Sequence, residues 1–381
     1  MIYLDNAATT RVYPALRGTI DKYMYEEYGN PGSAHKYGEM AKEAICNSRK
    51  IIGEFINAAP DNITFTSSGS EANTLAILGL EKYLKKCKKT HIITSKYEHH
   101  SVLNAFHEME RRGFRVTYIE PHRGYIRADD VKNAIRHKTG FVSIMYVNNE
   151  IGTVNDISAI YNICKERGVI FHSDCVQAAG TYKIHAEEMA DMISISGHKL
   201  HAPKGTGCLY ATCMDLLSNI IFGGNQEAGI RPGTENVAGI VALGDAISRN
   251  NVSIERNHSD TLKGYFIQKL FQECAKNGVR VRVNEFPKKV SPKIISITFP
   301  DIDAHTLVLT LSNYDVCVST SSACSSSEMK PSHVLTSCGF TADEALSTIR
   351  VSFSLFNTIS EVIGAASIIA ECVKLLTTEV F

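Results

Sequence analysis

The alternation of short β-branched runs with helical segments constrains the fold more than any other sequence feature. The strand-like runs are HIITS (His91–Ser95), GFVSIMYV (Gly140–Val147), VIFHSD (Val169–Asp174), MISIS (Met192–Ser196) and GCLYA (Gly207–Ala211). Segments with helical spacing of their apolar residues, such as SVLNAFHEMERRG and ISAIYNICKERG, separate the first three runs. Strands connected in this way form parallel sheets that helices cover on both faces. The pattern therefore predicts a large α/β domain.

A different pattern begins after about residue 249. Strand-like runs such as VRVRV, KIISITF, DVCVS and IRVSFS are mixed there with helical segments that begin near Ser259, Ala304, Thr341 and Ser360. This mixture is typical of a smaller α+β domain, so we expect the domain boundary within Asn250–Ser259. With 381 residues the chain is long enough for two domains of unequal size.

Charge and apolar segments exclude several classes of partner. The 40 Lys and Arg residues balance the 40 Asp and Glu residues, which gives no electrostatic reason to expect direct binding to nucleic acid or to an anionic membrane. The start MIYLDNAATT lacks the basic and then apolar order of a signal peptide. The apolar stretch Val362–Leu376 contains Glu371 and Lys374 and is too short to span a bilayer.

The cysteines indicate a reducing compartment. The chain has 11 of them, an odd number, and no Cys-x-x-Cys pair occurs between Cys46 and Cys372. A disulfide framework or a zinc site is therefore not expected, and we expect a cytoplasmic protein.

Polar residues follow the strand-like runs at the points where ligands bind. In open α/β sheets ligands lie at the carboxyl ends of the strands. Each of the first four runs is followed or ended by such residues: His99, Asn148 and Asn149, Asp174, and His198 with Lys199. Their number favours a site at this edge of the sheet.

The stretch FTSSGSEANTLAI (Phe65–Ile77) has the features of a phosphate-binding turn. An apolar strand end runs through Gly69 into a helical pattern, and the free amides of a first helical turn attract a phosphate. The alternative is an ordinary helix N-cap with Glu71 in the first turn. A P-loop is excluded because no Gly-Lys-Ser/Thr ends the stretch.

One cofactor explains these features jointly, and it is pyridoxal 5′-phosphate. Its aldehyde requires an amine, which Lys199 offers, and its ring nitrogen requires an acid partner, which Asp174 offers. His99 can lie flat on the ring and exchange protons. Each residue also has an ordinary explanation: a solvated loop lysine, a solvated strand-end aspartate, and a histidine bonded within a helix N-terminus.

Eight motifs carry a family resemblance over nearly the whole chain and in matching order. They are YLDNAATT, YGNPGSAH, TSSGSEANTLAI, EHHSVL, YVNNEIGTV, FHSDCVQAAG, SISGHKLHAPKG and RPGTENVAGI. They resemble cysteine desulfurases of the NifS/IscS type, which are fold-type I pyridoxal-phosphate enzymes of the class V aminotransferase group. The resemblance implies a mainly parallel seven-stranded sheet in a large cofactor-binding domain, residues 15–255. Residues 1–14 and 256–381 would form the small α+β domain.

The resemblance also implies a role for each site residue. Lys199 would form the Schiff base, Asp174 would pair with the pyridine nitrogen, and Gln177 would bond the phenolic oxygen. His99 would stack on the ring and help to deprotonate the nucleophile. The remaining implied contacts are the phosphate with Gly69, Ser70, Ser196 and His198, the substrate carboxylate with Arg350 and Asn149, and the neighbouring subunit's phosphate with Thr234. A homodimer with shared active sites follows from the last contact. Asn149 would also contact the cofactor.

Cys324 is the residue that distinguishes this activity from other pyridoxal-phosphate chemistry. It lies in CVSTSSACSSSEMKPSHVL, where serines flank it and no apolar period surrounds it, as in an exposed loop whose thiolate can attack. The resemblance implies that Cys324 takes sulfur from L-cysteine as a persulfide, leaves L-alanine, and passes the sulfur to an acceptor protein. The acceptor would be an iron–sulfur scaffold or a tRNA-thiolation protein. No resident metal is expected, although Cys324 could transiently ligate an iron–sulfur cluster.

Three departures from the family pattern leave the sulfur acceptor open. Asn225 stands where glycine is common, Ala228 stands where arginine is usual, and the sequence ends at Phe381 without the longer polar tail of many relatives. A selenocysteine lyase would share all the cofactor residues. A plain aminotransferase would not need Cys324, and a non-catalytic sulfur carrier would not need Lys199, Asp174 and His99 together.

Overall fold

The computed structural model describes residues 1–321 and 330–378. The strands in these ranges are β1 (Ile2–Tyr3), β2 (Ile63–Thr66), β3 (His91–Ser95), β4 (Arg115–Ile119), β5 (Thr139–Ser143), β6 (Ile170–Asp174), β7 (Met192–Ser196), β8 (Gly207–Ala211), β9 (Arg282–Val283), β10 (Ile294–Thr298), β11 (Val316–Cys317), β12 (Ser319–Thr320) and β13 (Thr348–Ser352).

Helices connect and cover these strands. They are α1 (Leu16–Asp21), α2 (Lys36–Ile56), α3 (Gly69–Leu78), α4 (Glu81–Lys86), α5 (His100–Arg111), α6 (Ala128–Ala134), α7 (Ile157–Glu166), α8 (Ala186–Met189), α9 (Val237–Arg249), α10 (Val252–Asn277), α11 (Ala304–Asn313), α12 (His333–Ser337), α13 (Ala342–Leu346) and α14 (Ile359–Thr378). None of the helices in the described ranges is long and apolar enough to cross a membrane.

A seven-stranded sheet has the order β2-β8-β7-β6-β5-β3-β4. Strands β3 to β7 pair in parallel, and β8 runs antiparallel to both of its neighbours. Strands β3, β5, β7 and β8 are buried along their whole length. The expected fold class, a mainly parallel seven-stranded sheet between helices, is confirmed.

Successive residues of each strand enter different hydrophobic clusters on the two faces of this sheet. Ile92 and Phe141 belong to one cluster, while Ile93 and Val142 belong to the other. Because side chains alternate across a strand, both neighbours must be apolar when helices cover both faces. This explains why apolar residues are direct neighbours in these strands, as Ile92 and Ile93 are in β3 and Phe141 and Val142 are in β5.

The run Gly140–Val147 was predicted as one strand, but β5 ends at Ser143. Beyond that point the backbone N–H groups of Ile144 (3.2 Å) and Tyr146 (3.0 Å) still donate to carbonyls of β6, but side chains replace the strand partner on the other side. The backbone N–H of Met145 donates to Glu98 (3.1 Å), and the carbonyl of Met145 accepts from the Asn155 amide (2.7 Å). The chain therefore leaves the sheet early and carries Asn149 and Glu150 to the sheet edge.

A second sheet has the order β12-β13-β10-β9 and is antiparallel, with β1 and β11 paired beside it. A third hydrophobic cluster includes Leu4 and otherwise takes its buried members from residues 262 to 373. This distribution supports the division into 15–255 and 1–14 with 256–381, which stays a prediction.

The helix expected near Ser259 begins earlier, as α10 at Val252. The side chain of Asn251 accepts hydrogen bonds from the backbone N–H groups of Ser253 and Ile254, both at 3.1 Å. An asparagine in this position satisfies two of the amides that a helix N-terminus leaves free. The predicted boundary segment is thus mostly helical.

The first residues of the chain link the second sheet to the turn that carries Lys199. The backbone N–H of Ala7 donates to the Ser352 hydroxyl (2.8 Å). The backbone N–H groups of Thr10 and Tyr13 donate to the carbonyls of His198 (2.9 Å) and His201 (3.0 Å). This segment therefore passes along one wall of the site described below.

A buried ionic group lies beside the same turn. Glu255, which is 1% exposed, lies 3.5 Å from the ammonium of Lys293 and 3.7 Å from Nε2 of His201. Charges taken out of water are tolerated only when they are paired. Removal of one charge of this group would therefore leave another charge buried without its partner.

We expect Lys293→Met to lower the free energy of unfolding by about 3–5 kcal/mol, because it leaves the Glu255 carboxylate buried without its cation. Urea unfolding followed by circular dichroism measures this loss. The double variant Lys293→Met/Glu255→Leu removes both charges and should recover most of the stability. An equal loss in the single and double variants would show that packing, not charge, determines the effect.

Candidate active site

A cavity of about 390 Å³ lies where the parallel strands end. Its size falls in the range of small-molecule and cofactor sites. Ten of the sequence-predicted residues line it: Gly69, Ser70, His99, Asn149, Asp174, Gln177, Ser196, His198, Lys199 and Arg350. The structure thus brings together residues that are up to 281 positions apart in the chain, since 350 − 69 = 281.

Two predicted residues are not in this group. Thr234 is exposed and lies in a separate surface pocket with Arg231 and Glu227. Its predicted role is in the site of a neighbouring subunit. Cys324 lies outside the described residues.

Lys199 ends a 3₁₀ turn that follows β7 directly. Its ammonium donates to the backbone carbonyls of Ala7 and Ala8, the latter at 2.6 Å. The Gln177 side-chain amide donates to the same Ala7 carbonyl (2.9 Å). Main-chain carbonyls of the motif YLDNAATT therefore hold both side chains at the cavity wall.

Asp174 is connected to His99 through two other side chains. The Asn73 amide donates both to Asp174 Oδ2 (2.7 Å) and to the Ser101 hydroxyl oxygen (2.9 Å). Ser101 Oγ lies 2.8 Å from His99 Nδ1, and the backbone N–H of Ser101 donates to the same nitrogen (3.1 Å). Asp174 Oδ1 accepts from the Val176 backbone N–H (2.9 Å). This network fixes the carboxylate and the imidazole relative to each other.

The two histidines of the predicted site are shifted toward the neutral form. Burial lowers the pKa of His99, although the nearby Asp174 acts in the opposite direction. Burial and the adjacent Lys199 lower the pKa of His198 to about 4. Desolvation disfavours a charged imidazole, so both rings are neutral at pH 7.

Arg350 brings a buried guanidinium to the cavity from β13. Nη2 donates to Asp5 Oδ1 (2.9 Å), and Nη1 donates to the backbone carbonyl of Asn149 (2.9 Å). Nε of Arg350 and Oδ1 of Asn149 are buried without a hydrogen-bond partner among the described residues. Unpaired buried polar atoms are costly, and a bound carboxylate can satisfy a guanidinium donor.

The turn before α3 makes the opposite end of the cavity. Ser68 caps the helix by accepting from the backbone N–H of Glu71 (3.2 Å). Ser196 Oγ is buried here and lacks a partner in the described part of the chain. An added Cβ at Gly69 would lie 2.6 Å from Val176 and 3.2 Å from Ser196, so this close approach requires glycine.

Residues of this site that sequence reasoning missed include Asp5, Asn73 and Glu150. Asp5 belongs to YLDNAATT, but its partner Arg350 is 345 positions away. Asn73 follows Gly69 by four positions, one helical turn, so this spacing was the available signal that it faces the cavity. No comparable spacing signal pointed to Glu150.

Two buried carboxyl groups lie at this edge of the sheet. Burial raises the pKa of Glu98 to about 8, against the hydrogen bond from Ser95 (2.6 Å). Burial also raises the pKa of Glu150 to about 7, while its hydrogen bond from Ser332 and the nearby Arg350 act to lower it. Glu150 lines the cavity together with Arg350.

Comparison with known proteins agrees with this geometry. Residues 2–363 match the family model described as Aminotransferase class-V. The chain is 37% identical to "Cysteine desulfurase IscS" of Clostridium botulinum, over 98% of this chain and 94% of that protein. It is 40% identical to "Putative cysteine desulfurase IscS 1" of Bacillus subtilis, over 99% of both chains.

Solved structures that resemble this chain agree with these relatives. A "NIFS-LIKE PROTEIN" superposes with a TM-score of 0.91 at 30% identity, covering 98% of this chain and all of that one. A structure described as "SspA in complex with cysteine" superposes with a TM-score of 0.81 at 34% identity, covering 94% of this chain and all of that one.

The chain therefore belongs to the class-V aminotransferase family. Within that family it is a member of the cysteine desulfurase group, and it is a pyridoxal-phosphate enzyme. The expectations for family, enzyme class and cofactor are confirmed. The residues present fit this cofactor, because the cavity offers an amine, a fixed carboxylate, and the Ser196 hydroxyl, which lies beside Gly69 of α3 and has no partner among the described residues.

We expect Gly69→Ala to weaken retention of pyridoxal phosphate about tenfold, because the added Cβ meets Val176 at 2.6 Å and forces the phosphate-binding turn to shift. Equilibrium dialysis with absorbance of the bound cofactor measures the change. Gly18→Ala is the matched control, since a Cβ at this helical glycine meets nothing within 4 Å. Unchanged retention in Gly69→Ala would remove this turn from the cofactor site.

Proposed function

We propose that this protein converts L-cysteine to L-alanine and captures the sulfur as a persulfide on Cys324. The observation that carries the proposal is the shared cavity. It joins Lys199, Asp174 and His99 to a buried guanidinium, Arg350, whose Nε has no partner among the described residues. An amino acid has the carboxylate that such a guanidinium binds. The printed names of the relatives support cysteine as that amino acid.

The residues of this chain that would hold its own cofactor are among those to which the family resemblance gives a role, and all of them line the cavity. Lys199 would hold the aldehyde carbon, Asp174 the ring nitrogen and Gln177 the phenolic oxygen, while His99 would stack on the ring. Gly69, Ser70, Ser196 and His198 would hold the phosphate. Bound pyridoxal phosphate supplies an electron sink for the substrate carbon next to the carboxylate.

The chain's own groups perform binding and proton transfer. Arg350 binds the substrate carboxylate, and the Asn149 side chain assists. Asp5 keeps the guanidinium oriented through its bond to Nη2. Lys199 Nζ would take the α-proton as the general base. Cys324, as a thiolate, would form a bond to the substrate sulfur while the carbon–sulfur bond breaks. The electron pair of that bond stays on the substrate carbon, which is protonated to give alanine.

We expect Cys324→Ser to bind L-cysteine and to release less than about one hundredth of the wild-type sulfide, because a hydroxyl is a poor nucleophile toward sulfur. Alanine, keto acid and sulfide should be quantified together from both proteins. A plain aminotransferase would accumulate keto acid, and the substitution would not change its activity. Substantial selenocysteine turnover in the variant would favour the selenocysteine lyase. Equal sulfide release from both proteins would mean that another residue is the nucleophile.

We propose further that the enzyme is a homodimer with shared active sites. Thr234 lies outside its own cavity, and two ion pairs fix its segment. Arg231 bonds Glu71 in the first turn of α3 (2.8 Å), and Arg49 bonds Glu227 through both oxygens (2.9 and 2.6 Å). The nearby Phe222 is 83% exposed, which is unusual for a large apolar side chain with no partner surface.

If the sites are shared, mixing inactive Thr234→Ala with inactive Lys199→Ala should restore up to about a quarter of wild-type activity. Random exchange places half of the subunits in mixed dimers, and each mixed dimer has one intact site. Subunit exchange is verified by native mass spectrometry. In the control mixture, Ser248→Ala takes the place of Thr234→Ala, because the Ser248 hydroxyl donates to a carbonyl of its own helix. Absence of complementation after verified exchange would contradict the shared site.

The sulfur acceptor is proposed to be a protein of the reducing cytoplasm, an iron–sulfur scaffold or a tRNA-thiolation protein. The ten cysteines among the described residues are all free, which supports a reducing compartment. Ala228, one of the departures from the family pattern, adopts a φ of 55° in the turn with Glu227. Identification of the protein trapped as a mixed disulfide with Cys324 tests this assignment.

A further inference from the structure

Three imidazoles lie in a row at the cavity wall. His99, His100 and His333 all line the cavity. The rings of His100 and His333 are 4.6 Å apart, and those of His99 and His100 are 6.4 Å apart. The cofactor assignments above use only His99, so the other two require their own explanation.

The hydrogen bonds fix the tautomer of His99. A backbone N–H can only donate, so the bond from Ser101 (3.1 Å) requires a lone pair on His99 Nδ1. The Ser101 hydroxyl receives the Asn73 amide and is free to donate its own proton to the same nitrogen (2.8 Å). Neutral His99 therefore carries its proton on Nε2 and has no vacant lone pair with which to accept another.

His333 has the opposite arrangement. Its Nε2 lies 3.0 Å from the backbone carbonyl of Glu98. A carbonyl can only accept, so Nε2 carries the proton and Nδ1 has the lone pair. Nδ1 of His333 makes no hydrogen bond among the described residues. It is also not one of the polar atoms of these residues that are fully buried without a hydrogen-bond partner. It is thus a vacant proton acceptor on a residue of the cavity wall.

His333 is firmly placed. It is the first residue of α12, directly after Ser332, whose hydroxyl accepts from the backbone N–H of Val334 (3.1 Å) and donates to the buried Glu150. Burial lowers the pKa of His333, and the nearby His100 and His99 act in the same direction. The hydrogen bond from His333 to the Glu98 carbonyl acts in the opposite direction and raises this pKa. The charged or titratable groups around it are Glu98, His99, His100 and Glu150, with Asp174, Lys199 and Arg350 across the cavity.

We propose that His333 is a catalytic base of this site, whose Nδ1 accepts the proton of a thiol presented in the cavity. The S–H bond breaks, its electron pair stays on sulfur as the thiolate, and the proton moves to the imidazole. The step requires no oxidant or reductant. The proposal rests on the proposed function, which supplies two thiols, that of L-cysteine and that of Cys324.

His333→Gln tests the role of Nδ1 with little change of structure, since the glutamine amide can still donate to the Glu98 carbonyl. We expect kcat/KM for L-cysteine to fall about tenfold at pH 7.5, because only about a tenth of a thiol with a pKa near 8.5 is ionised there without a base. The loss should shrink to a few-fold above pH 9, because thiols with a pKa near 8.5 ionise unaided there. His107→Gln, an exposed histidine of α5, is the control and should keep the wild-type pH profile.

A second measurement identifies the source of the proton without turnover. Alkylation of Cys324 by iodoacetamide is followed against pH by mass spectrometry of its peptide. If Cys324 is the source, its alkylation midpoint rises toward pH 8.5 in His333→Gln. If the substrate thiol is the source, the midpoint is unchanged and turnover of selenocysteine is spared, because selenols are already ionised at neutral pH.

The outcomes that overturn the proposal are separate from failure of the proposed function. Nitrogen-15 NMR of the holoenzyme should show His333 protonated at Nε2 and bare at Nδ1, and the opposite tautomer would overturn the assignment. Wild-type pH and alkylation profiles in His333→Gln would also overturn it. Absence of sulfide release by the wild-type enzyme would instead contradict desulfuration and leave the tautomer measurement valid.

Discussion

The ion pair between Asp5 and Arg350 is the contact on which the geometry of the site depends. It joins the first residues of the chain to the central strand pair of the second sheet, and it presents a guanidinium to a cavity made mainly by the first sheet. A buried guanidinium without a counter-charge would be strongly destabilising. Asp5 supplies that charge while leaving Nε for a ligand. The same segment then continues to the carbonyls that receive Lys199.

Main-chain groups, not only side chains, define the chemistry of this cavity. Ala7 and Ala8 offer carbonyls to Lys199, Asn149 offers one to Arg350, and Glu98 offers one to His333. A carbonyl can accept but never donate, so these contacts orient Lys199 and Arg350 as donors and, on His333, place the proton on Nε2. The sequence motifs therefore matter partly because of the path that their backbone takes. That path cannot be read from the identity of the residues.

How much of the structure can be predicted from the sequence depends on how far apart in the chain the interacting residues lie. The runs HIITS, MISIS and GCLYA match β3, β7 and β8 in full because strands buried on both faces are rich in apolar residues, and these three contain no Lys, Arg, Asp or Glu. The residues at their carboxyl ends were predicted to meet, and the cavity brings them together.

The contacts that could not be predicted depend on partners distant in the sequence. The early end of β5 depends on the Glu98 and Asn155 side chains, and the pairing of Asp5 depends on a residue 345 positions away. The network from Asp174 through Asn73 and Ser101 to His99 is of the same kind. The Asn73 amide donates to both Asp174 and Ser101, and Ser101 in turn bonds His99, so replacing one of these side chains leaves a neighbouring group unmatched. Substitutions at these four positions should consequently be strongly non-additive, and evolution can vary them only in compensating combinations.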